Sequence, residues 1–70
     1  MATDDTARLK TLLNYWIEHN HEHGQEFREW ADRVIGPGDI GKILRQAAEE
    51  MDKASRFLSQ AREKLEGREV

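Results

Sequence analysis

The chain gathers its three histidines into one short acidic stretch, Glu18-His19-Asn20-His21-Glu22-His23-Gly24-Gln25-Glu26. If that stretch is helical, His19 and His23 lie on one face, one turn apart. Two imidazoles need that spacing to grip a single divalent ion. Glu22 and Glu26 each follow one of these histidines by three residues, so they are placed to add oxygen ligands or to orient a ring. His21 projects to another side. An imidazole and carboxylate set suits Zn²⁺, Ni²⁺, Cu²⁺ or iron, and affinity order alone does not choose among them. Glu18-x-x-His21 also has the spacing used in di-iron helical bundles. Those bundles need two such motifs and two further glutamates, so a second copy of this chain would have to supply the rest.

Positioning these residues requires a long helix, and the apolar pattern provides one. Leu9, Leu12, Leu13, Trp16, Ile17, Phe27, Trp30, Ala31 and Val34 recur at the three-and-four spacing of one helical face. The pattern predicts helix 1 over about residues 4–35, with Thr3 or Asp4 as its cap. Gly36, Pro37 and Gly38 then form a turn, because Gly36 suits the position just past a helix end and Pro37 cannot continue it. Asp39 is a good N-cap for helix 2, expected over about residues 39–66 and ended by Gly67. Its seam reads Ile40, Leu44, Ala47, Met51, Ala54, Leu58, Ala61 and Leu65, with Ile43 and Phe57 beside it. Gly24 is a weak point in helix 1, marking either a kink or a place where another helix comes close. Glu29–Arg33, Glu49–Lys53 and Asp52–Arg56 have the spacing of ion pairs within a helix.

The predicted fold is therefore all-α: residues 1–70 form a single domain, a two-helix antiparallel hairpin. Folding about the turn sets Trp16 and Ile17 near Leu58, Phe27 near Ala47, Trp30 near Leu44 and Leu13 near Ala61. Large residues mostly meet small ones, as dense packing prefers. One seam cannot cover two tryptophans, Phe27, Phe57 and Ile43. The hairpin is thus expected to dimerise into a four-helix bundle or to dock on a helical partner. The expected core and interface residues are Trp16, Phe27, Trp30, Leu44, Ala47, Met51, Ala54, Leu58 and Ala61.

The middle of helix 1 breaks the apolar stripe. Asn20 and His23 stand where leucines would be expected, and the hairpin register sets them opposite Ala54 and Met51. A polar layer of Asn20, His23 and Met51 costs stability unless its groups are satisfied. Three readings account for it. The polar groups fix register, as a single core Asn does in coiled coils. Alternatively the face is solvated, or His19 and His23 bind a divalent metal such as Zn²⁺ or Ni²⁺.

Composition narrows the function classes. Hydrophobic residues are 37% and charged residues 36% of the 70, with net charge −3 and no cysteine; mean hydropathy is −0.89. A chain this short and polar needs a second source of stability, and without cysteine that source is assembly, a His/carboxylate metal site or both. The bases are interleaved with acids, which argues against nucleic acid. No apolar run approaches the ~18 residues of a membrane span, and the acidic N-terminus lacks the apolar region of a signal peptide, so a cytoplasmic protein is expected. No nucleophile triad, phosphate loop or dinucleotide fingerprint is present. The expectation is a small non-enzymatic self-association or interaction module with a polar His/Asn layer. A small metal-binding or metal-delivery protein using His19 and His23 is the alternative.

The stretch Leu12-Leu13-Asn14-Tyr15-Trp16-Ile17-Glu18-His19-Asn20-His21-Glu22-His23, followed by Phe27 and Trp30-Ala31, resembles a group of short, uncharacterised prokaryotic helical proteins. Their hallmark is W-I-x-H-N-x-x-H followed by a W-A pair. The resemblance covers roughly half the chain. It selects Trp16, His19, Asn20, His23 and Trp30 as signature positions and leaves His21 incidental. It implies a helical protein without implying an activity.

Overall fold

The computed structural model describes residues 2–34 and 38–68, with side chains over 5–34 and 38–67. Two helices, α1 (Ala2–Arg33) and α2 (Ile40–Arg68), pack against each other as a hairpin. Its principal extents are 54 × 15 × 14 Å, close to the ~48 Å that a helix as long as α1 spans at 1.5 Å per residue. No helix among the described residues is long and apolar enough to cross a membrane.

The ends differ from the sequence expectation in small ways. α1 starts at Ala2, so Thr3 and Asp4 lie within its first turn. It ends at Arg33, with the Val34 N–H still donating to the Trp30 carbonyl at 3.0 Å. Gly36 and Pro37 fall outside the described residues. Gly38 has φ +116°, a conformation open to glycine and strained for other residues. Asp39 occupies the N-cap position: its carbonyl accepts the first helical hydrogen bond from Ile43 N–H at 2.8 Å. Gly67 does not stop α2, which runs through it to Arg68.

Burial defines the seam. On α1 it runs through Thr6, Lys10, Leu13, Ile17, Asn20, Gly24, Phe27 and Ala31. On α2 it runs through Gly41, Leu44, Ala48, Met51, Ser55, Leu58, Arg62 and Leu65. Both alternate by three and four, the heptad spacing of helices crossing at a shallow angle. Half of the expected α2 seam holds: Leu44, Met51, Leu58 and Leu65 face α1. The other half is rotated by one residue. Gly41, Ala48, Ser55 and Arg62 take the inner places, while Ile40, Ala54 and Ala61 are exposed and Ala47 is half-buried at the edge.

Close backbone approach explains that choice at Gly41. Gly24 and Ala48 are both buried, and a Cβ added to Gly24 would stand 3.9 Å from the Ala48 carbonyl oxygen. A Cβ on Gly41 would stand 3.2 Å from the Ala31 carbonyl oxygen. Backbones this close leave room only for small residues at Gly24, Gly41 and Ala48, and the heptad period carries Ser55 and Arg62 inside with them. Gly24 is therefore a point of close approach within a continuous helix. The residues fully buried by this seam are few: Leu13, Ala31 and Ala48 among the described hydrophobic side chains, with no large side chain completely enclosed.

Candidate functional site

The two flanks of the seam differ in chemistry. One carries the polar contacts between the helices. Arg28 donates to Asp52 at 2.6 Å, Arg62 donates to Asn14 at 2.9 Å, and Arg45 pairs with Asp32. His21 opens onto this side, in a shallow groove shared with Ile17, Glu18, Asp52, Ser55 and Arg56. The Ser55 Oγ is buried there without a hydrogen-bond partner. None of the three ion pairs expected along single helices forms as such. Asp52 turns to Arg28 across the seam, Lys53 pairs with Glu50, and Arg33 lies 5.0 Å from the Trp30 ring centroid. A partner on the facing helix competes well because the helices are so close.

The opposite flank is apolar. In an antiparallel pair the residues just before the every-seventh seam positions of both helices fall on the same side. On α1 these are Leu9, Trp16, His23 and Trp30, with Leu12, His19, Glu26 and Arg33 one row further out. On α2 they are Ile40, Ala47, Ala54 and Ala61, with Ile43, Glu50, Phe57 and Lys64 one row out, so the flank is apolar beside the seam and mixed at its outer edge. Phe57 is 70% exposed, Ile43 61% and Trp30 55%. Trp16, Trp30, Ala54 and Ala61 were expected in a core or interface; within one hairpin they are exposed. Phe27, Ala47, Leu44, Met51 and Leu58 are half-buried.

His19 and His23 sit in the middle of this flank. Along this flank of α1, Leu9, Leu12 and Trp16 lie to one side of them and Trp30 to the other. Both histidines are half-buried, and their Nε2 atoms are 2.9 Å apart. At that separation one nitrogen carries the proton and the other offers its lone pair. The rings belong to an aromatic row along α1. Tyr15 stacks on His19 at 5.3 Å, His19 meets His23 edge-on at 4.3 Å, and His23 stacks on Phe27 at 5.9 Å. Asn20 is half-buried on the seam side, in the same layer as Met51.

Glu22 and Glu26 are not gathered with the histidine pair into a metal-holding set. Both are exposed, and among the described residues no three His, Asp or Glu side chains come together so. Glu22 shares a small cleft with Tyr15, Glu18 and His19, so carboxylates stand near the pair on one side. Ile43 and Phe57, expected beside the seam as a second apolar edge for another helix, both stand exposed on this flank.

Residues 9–65 match the family described as "Domain of unknown function (DUF8180)". The chain belongs to that family. It is also 34% identical over 55 residues to a protein of Archaeoglobus fulgidus named "Uncharacterized protein", covering 77% of this chain and 89% of that one. No solved structure matches the chain. The matched region begins at Leu9 and ends at Leu65, which are the outermost leucines of the hairpin. It therefore includes both flanks and the histidine pair.

Proposed function

We propose that the hairpin is a non-enzymatic helical module that binds a second copy of itself through the apolar flank, giving a four-helix bundle. The observation that carries this reading is that flank: heptad rows on both helices, on one side of the molecule, with Trp30, Ile43 and Phe57 more than half exposed. Surface area supports it. The chain exposes 5731 Å², whereas a compact monomer of 8.2 kDa exposes about 4,500 Å². The excess, on the order of 1,200 Å², exceeds the ~800 Å² that each partner buries in a standard interface.

A second copy suits the flank better than an unrelated surface. Its bulk is complementary to itself: Trp16, Trp30 and Phe57 stand beside a stripe of Ala47, Ala54 and Ala61. Two-fold pairing sets one chain's large residues against the other's small ones. The test is mass in solution. Sedimentation equilibrium should give twice the chain mass, and Ala54→Glu, which puts a charge in the middle of the α2 stripe, should give a helical monomer. A wild-type chain that stays monomeric at millimolar concentration refutes the reading.

A further inference from the structure

We propose that His19 and His23, together with the same pair from a second copy, form a four-imidazole site for a divalent transition ion, with Zn²⁺ the best match. This rests on the self-association reading above and adds a ligand to it.

The pair is half of a site. Its two Nε2 atoms are 2.9 Å apart. Two imidazoles on one tetrahedral ion, at bonds of about 2.0–2.1 Å, hold their nitrogens about 3.3 Å apart. Replacing the shared proton by an ion asks the rings to open by a few tenths of an ångström, which small side-chain rotations supply. Tyr15 and Phe27 stack on the outer sides of the two rings and limit their swing. One hairpin offers no more than this. Among the described residues no third potential ligand joins the pair, and a tetrahedral ion takes four ligands.

Symmetry supplies the other two. A two-fold axis parallel to the bundle sets α1 of one copy against α2 of the other, as the pairing of large with small residues requires, and keeps every residue level with its own copy. The two histidine pairs then lie at one level on diagonally opposite helices, on the side of each hairpin that faces the other copy. Four imidazoles would then converge in a largely apolar interior, which is costly unless their ring nitrogens are satisfied. A Zn²⁺ ion satisfies all four. The nearby carboxylates Glu18 and Glu22, which share the cleft beside His19, favour a cation. His21 opens onto the opposite flank and takes no part.

Zn²⁺ titration into metal-free protein, with Co²⁺ as a coloured probe, tests the assignment, and sedimentation follows assembly in the same samples. We expect one ion per two chains and a tetrahedral Co²⁺ spectrum. Metal should also tighten the dimer. His19→Ala and His23→Ala should each weaken Zn²⁺ binding on the order of a hundredfold, while His21→Ala leaves it unchanged. His19→Gln, which keeps a polar group at the position, guards against loss of fold, checked by circular dichroism. One ion per chain, binding unaffected by His19→Gln, or uptake only at millimolar metal overturns the site. A metal-free dimer that takes no metal overturns the site and leaves self-association standing. A chain that stays monomeric with and without metal overturns both.

Discussion

Phe57→Ala separates a hairpin that stands alone from one that pairs. Phe57 is 70% exposed in the single hairpin. If nothing covers it, alanine is the better residue there, since its helix propensity exceeds that of phenylalanine by about 0.5 kcal/mol. The variant should then be slightly more stable. If a second copy covers it, the sign reverses. An aromatic side chain buries about 150–250 Å², so the exposed share of Phe57 is on the order of 100–170 Å². At about 25 cal/mol per Å², covering half of that share contributes about 1.5–2 kcal/mol per chain. Two chains give about 3–4 kcal/mol per dimer, a weakening of several hundredfold in the dissociation constant. Sedimentation equilibrium reads that change directly. Thermal unfolding over a wide concentration range reads it again, because a dimer's midpoint rises with concentration and a monomer's does not. A midpoint independent of concentration, and unchanged or raised in Phe57→Ala, would refute the reasoning.

Other positions respond to the packing of the hairpin itself. Gly24→Ala should stabilise by up to about 1 kcal/mol, because the added Cβ meets only ordinary contacts, the nearest being the mobile end of Arg28 at 3.4 Å. Gly41→Ala should gain nothing or lose stability, since its Cβ would press the Ala31 carbonyl oxygen at 3.2 Å; chemical denaturation of the two variants side by side tests the contrast. Gly38→Ala should destabilise by about 1 kcal/mol or more, because φ +116° is strained for a residue with a Cβ. Arg28→Ala should cost no more than about 1 kcal/mol, and less in high salt, since its side chain and that of Asp52 are 39% and 45% exposed; a salt-independent loss would mean that packing, not charge, dominates there.

The hairpin could be read from the sequence because its signals are local. Apolar spacing, a Gly-Pro-Gly break and Asp39 before a new apolar run each depend on a few neighbouring residues. The rotation of α2 could not be read this way. Ile40, Ala54 and Ala61 are more apolar than their neighbours Gly41, Ser55 and Arg62, so hydrophobicity favours them for the inside. Size decides at one position: Gly41 lies against the Ala31 carbonyl, where Ile40 has no room, and the seven-residue period of a continuous helix then carries Ala48, Ser55 and Arg62 inside. Arg62 is tolerated because its long stem covers the seam while its head reaches Asn14. The histidine pair was legible as a pair, because four-residue spacing is a property of one helix. Its place in the middle of an apolar flank was not, because that depends on which side of α1 meets α2. One ion pair failed for a related reason: Asp52 has a suitable base at Arg56 on its own helix, yet takes Arg28 from the other.

The rotated seam has a consequence for how such a chain can change over time. Glycine and alanine set how closely its two helices approach, while Trp16, Trp30, Ile43 and Phe57 stand outside. In the dimer proposed above, fold and partner choice would fall on nearly separate sets of positions. Drift at Gly24, Gly41 or Ala48 is constrained by the hairpin itself. Drift at Leu12, Ile43 or Phe57 would spare the seam and act on the proposed pairing. Duplicated copies of this chain could diverge into new pairings without first surviving a damaged fold.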